Sequence, residues 1–358
     1  MNRLSHFDYA RAFAILCVVI SHTSLAYVFN TRDIIIDVFI HNFVGIGVPL
    51  FLFMAGFFVK VKQNQSLFSF MQDKITRIYI PTVIWTIFFN VLLSIVGTSE
   101  GLNPQQLLSN ILFLSDPFFY YFTFVIMLLF LFGYFIYRLN TDQLRRVVQI
   151  SFVLGIVMIA LYEIAFFIMP KGTIFPSVVM YRNPLVWVFF FAYGMYTSRT
   201  NYDLLGGWFN RFKVNKYLGL GIAAILLFIT SLETLVLYDR TLPGAQDYFK
   251  VASFFLEIIA IHYVFIFLKT FNPPAAIDRG LKTIAKYSFF IYLVHMPTVE
   301  KLIGTTRLMS MSKFHYVGMA IESALCFLIP LIAVYIIRWF SRVAFIKAGA
   351  KYIGIPNI

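Results

Sequence analysis

Ten long apolar runs, separated by short polar loops, constrain this chain more than any other feature of its sequence. A helix needs about 20 mostly apolar residues to cross the hydrocarbon core of a membrane. Charged residues make up only 13% of the chain, whereas a soluble domain has about 25%. This composition excludes disordered and coiled-coil folds and most soluble folds, and it predicts an all-α polytopic membrane bundle that forms one domain over residues 1–358. The predicted crossings are 7–29, 37–59, 78–97, 118–137, 147–169, 184–198, 217–237, 251–268, 286–303 and 315–337.

The basic residues predict the orientation of the bundle. If both termini are cytoplasmic, 21 of the 29 Lys and Arg residues fall on the cytoplasmic side. This excess follows the positive-inside rule, favours an even number of crossings and leaves a cytoplasmic tail at about 339–358. The net charge of +13 is then loop charge, so we expect membrane lipids and no nucleic acid among the partners.

The loop over residues 60–76 is predicted to lie on the cytoplasmic membrane surface. Its sequence, KVKQNQSLFSFMQDKIT, combines charged residues with a short apolar group. Such a pattern is typical of an amphipathic helix lying in the plane of the interface. The side chains expected to face lipid are Leu67, Phe68, Phe70 and Met71.

The second apolar run contains residues that permit close helix packing. Gly45, Gly47 and Gly56 have no side chain to hold a neighbouring helix away. Pro49 can bend the helix that contains it. Packing alone explains this segment.

The first apolar run carries three ionisable residues on one helical face. At 100° per residue, Arg11 lies 300° from Asp8, and His22 lies 20° beyond three full turns from Arg11. The rise from Arg11 to His22 is about 16 Å. Ionisable groups within membrane helices are costly and mark functional sites. The structural alternative is that Asp8 and Arg11 anchor the helix end and that His22 only hydrogen-bonds a neighbour.

Lys74 and Arg77 form a second basic site, at the cytoplasmic end of the third crossing. They are three residues apart and therefore share a helical face. Ammonium and guanidinium groups both bind phosphate, so the pair suits a phosphorylated ligand. Ordinary inside-facing loop charge is the alternative, and composition alone favours that alternative over a phosphate site.

The remaining polar residues within apolar runs include a stripe on the ninth crossing. Ser288, Tyr292 and His295 are spaced four and three residues apart. The intramembrane acids could carry protons, bind sugar hydroxyls or pair with arginines, and the sequence does not rank these roles. No metal site is predicted, and nucleotide-binding loops, zinc-protease motifs and nucleophile elbows are absent from the sequence. The acids are Glu163, Glu233, Glu257 and Glu322.

Four motifs in order resemble acyltransferase family 3, the integral-membrane bacterial acyltransferases. The stretch FDYARAFAILCVVISH contains the aspartate, arginine and histidine of its first motif, at Asp8, Arg11 and His22. VPLFLFMAGFFV resembles the Phe-rich second-helix signature, and AKYSFFIYLVHMP resembles the penultimate-helix motif. Lys74-x-x-Arg77 resembles the basic pair, although the family usually has arginine at the first position, and lysine there loses bidentate geometry.

The resemblance implies transfer of an acyl group, usually acetyl, from cytoplasmic acyl-coenzyme A to a hydroxyl of an envelope glycan or lipid-linked saccharide. It implies no bound cofactor, since acyl-coenzyme A is a co-substrate, and a location in the bacterial cytoplasmic membrane. His22, Asp8 and Arg11 are then the expected catalytic residues, and Arg11, Lys74 and Arg77 the expected donor-binding residues. The expected supporting residues are Tyr292, His295 and Glu257.

Two other functions remain compatible with the sequence. A transporter or flippase for a glycan precursor or small solute would also have many helices and buried acids, although an inverted repeat, which would favour transport, is not evident. A non-enzymatic scaffold of an export complex is a weaker alternative, because it leaves the shared face of Arg11 and His22 unexplained.

Overall fold

The computed structural model is a bundle of helices, and its described residues contain no strand. The structure describes residues 5–23, 31–95, 104–114, 120–168, 177–200, 216–240, 250–297, 315–340 and 349–356. The predicted all-α class is therefore confirmed for these parts of the chain.

The helices in chain order are as follows. The first seven are α1 (Ser5–Thr23), α2 (Thr31–Val44), α3 (Gly47–Phe57), α4 (Leu67–Lys74), α5 (Ile80–Ile95), α6 (Pro104–Phe113) and α7 (Tyr121–Ile136). The next seven are α8 (Thr141–Ile168), α9 (Ser177–Arg182), α10 (Pro184–Arg199), α11 (Lys216–Arg240), α12 (Val251–Thr270), α13 (Ala275–Pro297) and α14 (His315–Phe340). A π-helical turn, Ile75–Tyr79, joins α4 to α5, and a 3₁₀ turn, Lys351–Ile353, follows α14.

A helix lies in each of the ten predicted crossings. Six stretches of the described chain are long and apolar enough to cross a membrane: Ile34–Phe57, Leu67–Leu92, Thr141–Ala165, Tyr217–Val236, Val251–Thr270 and Ala320–Phe340. The chain is therefore a multi-pass membrane protein, while ten crossings and cytoplasmic termini stay predictions. The predicted ends at 24–29, 96–97, 118–119, 169 and 298–303 lie outside the described residues.

The peripheral helices carry apolar side chains on their outer faces. On α8, exposed Ile150, Val153, Leu154, Val157 and Leu161 follow one helical face. A soluble protein would place polar residues there, whereas a lipid-facing helix exposes apolar ones. The outer face of α8 is therefore a surface for lipid.

Helix α1 lies at the centre of the bundle and contacts α2, α3, α12, α13 and α14. Most of its side chains are buried, including Phe7, Ile15 and Val19. Near its C-terminal end, the Thr23 hydroxyl lies 2.8 Å from the Ser323 hydroxyl of α14. The helix that carries Arg11 and His22 is thus fixed by neighbours along its length.

The second predicted crossing is broken into two helices. The segment 37–59 was expected to be one helix, but α2 ends at Val44 and α3 begins at Gly47. A proline ring clashes with the carbonyl four residues earlier, which for Pro49 is that of Gly45. The break therefore occurs where the proline excludes continuous helix.

Glycines allow α3 to pack closely, as the sequence predicted for Gly47 and Gly56. A Cβ atom added to Gly56 would lie 1.9 Å from the Phe191 carbonyl oxygen of α10, and one on Gly47 would lie 2.9 Å from the Ala14 carbonyl oxygen of α1. Similarly, a Cβ atom added to Gly194 of α10 would lie 2.0 Å from the Phe53 carbonyl oxygen of α3. Backbone contact of this kind holds α3 between α1 and α10.

The connector 60–76, expected to be partly an amphipathic helix, contains helix α4 at Leu67–Lys74 and departs from the expectation at one residue. Helix α4 begins at Leu67, directly after Ser66, whose hydroxyl caps the helix by accepting a hydrogen bond from the Ser69 amide. Phe68 is exposed as expected, but Phe70 is buried against Tyr134 of α7, with ring centroids 5.5 Å apart. The expectation that Phe70 faces lipid was wrong, because α4 packs one side against α7 instead of lying free on the surface.

Part of the predicted tail packs against the bundle. Helix α14 extends to Phe340, and the described residues 349–356 contact α5. The Trp85 indole donates to the Ile353 carbonyl at 3.1 Å, and Ile355 is buried. This end of the chain is therefore held to α5.

Candidate active site

A cavity of about 360 Å³ lies between α1, α3, α7, α13 and the junction of α4 with its π-helical turn. Its wall brings together residues that are far apart in the sequence, from position 11 to position 292. The polar and charged residues on this wall are Arg11, His22, Lys74, Arg77, Tyr121, Ser288 and Tyr292. Five of the eight residues predicted to form the site therefore line one cavity.

The three predicted donor-binding cations lie on this wall. Lys74 ends α4 and Arg77 belongs to the π-helical turn, while Arg11 comes from α1. The Arg11 guanidinium lies 3.8 Å from the Asp8 carboxylate. Asp8 is buried outside the cavity lining, so it can orient Arg11 without contacting a ligand.

Sequence reasoning missed a carboxylate beside these cations. Asp73 lies 2.7 Å from Arg77 and 3.7 Å from Lys74. The Lys74 ammonium also lies over the rings of Phe130 and Phe70, at 4.8 and 5.3 Å from their centroids. The signal was available in the sequence, because Asp73 and Arg77 are four residues apart, a spacing that favours ion pairs.

The other polar part of the cavity is formed by His22, which has a second histidine behind it. The ring of His22 on α1 lies 5.4 Å from that of His295 on α13, measured between centroids. His295 is fully buried, and its Nδ1 lies 2.8 Å from the Tyr292 carbonyl. A carbonyl only accepts, so Nδ1 of His295 donates this hydrogen bond. His22 lines the cavity, and His295 lies behind it.

The ring of Tyr292 lies 6.2 Å from that of His295, measured between centroids. The Tyr292 side chain hydrogen-bonds Thr123 of α7, and Thr82 of α5 lies 3.3 Å from Thr123. The Tyr120 hydroxyl donates to the Leu293 carbonyl at 2.7 Å. These bonds fix the stretch of α13 that carries Tyr292, so its position relative to His22 is defined by three helices.

Apolar side chains line the wall of the cavity elsewhere. They come mainly from α3 and α7, so the broken second crossing and the Phe-rich α7 both contribute. The apolar lining residues are Val18, Val48, Phe51, Met54, Ala55, Phe58, Ile78, Phe122, Ile126, Phe130 and Phe289. Such a wall accommodates an uncharged chain and excludes water from it.

Glu257 does not belong to the cavity lining. It is buried on α12 and interacts electrostatically with Lys250, as do Glu163 and Glu233. Glu322 is buried on α14 and interacts with Cys326. Within the described ranges, no group of three His, Cys, Asp or Glu side chains is arranged to hold a metal ion.

The arrangement has three chemical capacities. The cations can hold phosphates, the apolar wall can hold an uncharged chain, and the imidazole of His22 can take and return a proton. The rise of about 16 Å from Arg11 to His22 along α1 separates the first capacity from the third. A substrate with an anionic part joined through a long chain to a reactive carbonyl would satisfy all three.

The chain matches one family and several named relatives. A family model described as an acyltransferase domain matches residues 4–339. A protein of Staphylococcus aureus strain MSSA476, named "Probable poly-beta-1,6-N-acetyl-D-glucosamine export protein", is 22% identical over 312 residues, covering 82% of this chain and 83% of the relative. A Staphylococcus epidermidis protein of the same name is 20% identical over 314 residues, covering 84% and 82%. No solved structure matches the chain significantly.

Proposed function

The chain belongs to the acyltransferase family whose model spans residues 4–339, and we propose that it transfers an acyl group from cytoplasmic acyl-coenzyme A to a hydroxyl of a cell-envelope glycan. The acyl group proposed is acetyl, and the location proposed is the bacterial cytoplasmic membrane. The whole chain would act as one transmembrane domain, with no cofactor beyond the acyl-coenzyme A co-substrate.

One observation carries this proposal: Arg11, Lys74, Arg77 and His22 line a single cavity. The nucleotide of coenzyme A bears phosphates, which guanidinium and ammonium groups bind. Its pantetheine arm is long and largely uncharged, and it ends in the thioester. Phosphates held by the cations would allow the arm to follow the apolar wall and deliver the thioester to His22.

In the proposed reaction, His22 takes the proton of the acceptor hydroxyl as its oxygen attacks the thioester carbonyl. An ester bond forms, the carbon–sulfur bond breaks, and the proton passes from His22 to the coenzyme A thiolate. Tyr292 would hydrogen-bond the carbonyl oxygen as negative charge develops there. A route in which His22 first takes the acyl group itself gives the same products.

The proposed acceptor follows from the names of the relatives. Both are named for export of poly-beta-1,6-N-acetyl-D-glucosamine, a polysaccharide rich in hydroxyl groups. We therefore propose an amino-sugar polysaccharide or its lipid-linked precursor as the acceptor. Identity of 20–22% supports the class of polymer and leaves its linkage open.

The direct test uses purified protein in lipid nanodiscs with acetyl-coenzyme A labelled in the acetyl group. Oligosaccharides of β-1,6-linked N-acetylglucosamine serve as acceptor, and mass spectrometry measures the added acetyl mass. We expect wild-type protein to transfer the label and His22→Ala to lose at least a hundredfold in rate, since general bases contribute about 10²–10⁴-fold. His262→Ala is the matched control, because His262 is a buried histidine of α12 outside the cavity lining.

Two results would reject this assignment. Full transfer by folded His22→Ala would remove His22 from the mechanism. Absence of transfer to every tested oligosaccharide by wild-type protein, with translocation of the glycan intact, would reject the enzymatic function itself.

A second candidate function is export of the glycan without acyl transfer. The observation that favours it is the printed name of the relatives, which describes export. Proteoliposomes loaded with a fluorescent oligosaccharide discriminate the two functions. Export requires movement of the glycan across the bilayer without consumption of acyl-coenzyme A, whereas acyl transfer releases one free thiol for each ester formed.

A further inference from the structure

The residues 349–356, here called the C-terminal segment, pack into the bundle beside the candidate active site. Ala350 and Ile355 are only 3% and 1% exposed, and the Ile355 amide donates to the Ala350 carbonyl at 3.1 Å. Both side chains belong to the same buried apolar cluster as Val18 and Tyr292, which line the cavity. The match to the acyltransferase family ends at residue 339, so membership of that family assigns the C-terminal segment no role.

One side of the C-terminal segment contacts α13. Gly354 has a φ of +87°, in the left-handed region that favours glycine. A Cβ atom added to Gly354 would lie 2.9 Å from Leu293 Cδ1 and 3.4 Å from Phe289 Cδ1. Phe289 lines the cavity, and its ring stacks on that of Tyr292 with centroids 6.1 Å apart. The C-terminal segment therefore packs directly against a side chain of the cavity wall.

The other side of the C-terminal segment contacts α5 and the π-helical turn that precedes it. The Trp85 indole of α5 donates to the Ile353 carbonyl at 3.1 Å, and the Trp85 ring lies 5.8 Å from that of Phe290 on α13, measured between centroids. The π-helical turn carries Arg77 and Ile78, which both line the cavity. Single π-helical turns are rare and occur often at functional sites. The C-terminal segment thus joins the two parts of the chain that carry Arg77 and Phe289.

We propose that the C-terminal segment is a positioning element of the donor site, which holds the π-helical turn and α13 in the arrangement that binds acyl-coenzyme A. This inference rests on the proposed function, which assigns acyl-coenzyme A to the cavity. None of the described residues 349–356 lines the cavity. The C-terminal segment therefore acts on the donor through Arg77, Ile78 and Phe289, and not by direct contact.

Thermodynamic linkage makes this proposal testable from two directions. If the docked segment assembles the donor site, a docked segment raises donor affinity, and a bound donor stabilises docking by the same factor. Coupling between two distinct sites is typically about 5- to 150-fold in affinity. The effect on donor binding and the effect on docking can be measured independently.

The first measurement is donor affinity by calorimetry, with protein in nanodiscs and desulfo-coenzyme A as the probe. This analogue keeps the phosphates and the long arm but cannot carry an acyl group. Gly354→Ala adds a methyl group at a positive φ and against Leu293, and we expect it to raise the Kd at least fivefold. Gly349→Ala is the matched control in the same segment, because no atom lies within 4 Å of its Cβ position, and its Kd should equal the wild-type value.

A second variant tests the contact with α5. Trp85→Phe removes the indole N–H that binds the Ile353 carbonyl and keeps an aromatic ring beside Phe290. We expect the Kd for desulfo-coenzyme A to rise about 2- to 10-fold, the range for one net hydrogen bond. Trp339→Phe is the control, because Trp339 is a tryptophan of α14 that is 76% exposed, and it should leave the Kd unchanged.

The reciprocal measurement is the rate of tryptic cleavage after Lys351, an exposed residue of the C-terminal segment. Mass spectrometry detects the loss of residues 352–358. Saturating desulfo-coenzyme A should slow this cleavage at least fivefold in wild-type protein, since the donor stabilises the docked segment. Equal cleavage rates with and without the analogue would overturn the proposal.

The remaining outcomes separate this inference from the proposed function. If wild-type protein binds the analogue and the Kd of Gly354→Ala is within twofold of that of Gly349→Ala, the positioning role is overturned and the proposed function stands. In acyl-transfer assays Gly354→Ala should raise the KM for acyl-coenzyme A with kcat within twofold of wild type. A fall in kcat as large as the rise in KM would indicate a general structural role and would overturn the proposal. Failure of wild-type protein to bind desulfo-coenzyme A would overturn both.

Discussion

Lys74 should contribute more to donor binding than Arg77, although both line the same cavity. The Lys74 side chain is only 23% exposed and lies over the Phe130 ring at 4.8 Å. The Arg77 side chain is 76% exposed and is paired with Asp73 at 2.7 Å. Water and a neighbouring carboxylate therefore compete with a phosphate for Arg77 more than for Lys74.

The expected magnitudes follow from these environments. A hydrogen bond from a charged group in a partly buried site contributes about 1.5–3 kcal/mol, which corresponds to roughly 10- to 150-fold in affinity. An exposed ion pair contributes about 0.2–1 kcal/mol, or less than about fivefold. We therefore expect Lys74→Ala to raise the KM for acyl-coenzyme A at least tenfold and Arg77→Ala to raise it less than fivefold.

The assay is continuous detection of free coenzyme A thiol at saturating oligosaccharide, with acetyl-coenzyme A varied. Lys282→Ala is the matched control: its side chain is 32% exposed, is paired with Asp278 at 2.7 Å and lies outside the cavity lining. Lys74→Arg adds a second comparison, because it preserves the charge and restores bidentate geometry. We expect Lys74→Arg to retain at least the wild-type affinity.

Three results would refute this reasoning. A KM for Lys74→Ala within twofold of the wild-type value would show that Lys74 does not contact the donor. An equal rise in Lys282→Ala would indicate a general effect of cytoplasmic charge. A larger effect at Arg77 than at Lys74 would show that burial does not control the strength of these contacts.

Two further predictions concern packing and charge. Gly56→Ala should lower the melting temperature by several degrees in a thermal unfolding assay, because its methyl group would lie 1.9 Å from the Phe191 carbonyl oxygen and overpacking costs about 1–3 kcal/mol. Gly221→Ala is the control and should leave the melting temperature unchanged, since no atom lies within 4 Å of its Cβ position. Equal melting temperatures for the two variants would contradict the packing argument. Asp73→Asn should lower the KM for acyl-coenzyme A by about two- to fivefold, because it releases Arg77 from its ion pair with a carboxylate. A higher KM would mean that Asp73 instead holds Arg77 in position for the donor.

The sequence predicts the helical segments well, because length and hydropathy control them. The sixth segment was expected over 184–198, and α10 is Pro184–Arg199. Proline at its first turn and Asn183 as its cap, accepting from the Leu185 amide, mark the start of the helix in the sequence. The juxtaposition of Arg11 and His22 on one cavity follows from the same periodicity within a single helix.

Properties that depend on pairs of distant residues were not predictable. The sequence places Phe70 in an amphipathic pattern but carries no signal that Tyr134 covers it. The environment of Lys250 depends on α2, α8 and α11 at once, and no local pattern relates a loop lysine to Asn42. The periodicity of a single sequence shows which residues share a helix face, whereas the packing of the bundle determines which faces contact each other.

The apolar wall between the cations and the histidines has a consequence for the reaction. A thioester beside a basic imidazole hydrolyses if water reaches it, which would waste the donor. Phe51, Phe122 and Met54 line the cavity that holds His22, and such side chains exclude water from a bound chain. An acceptor hydroxyl bound beside His22 would then be the nucleophile that reaches the carbonyl in place of water. Specificity for a glycan over water therefore depends on how well these apolar side chains keep water away from the thioester.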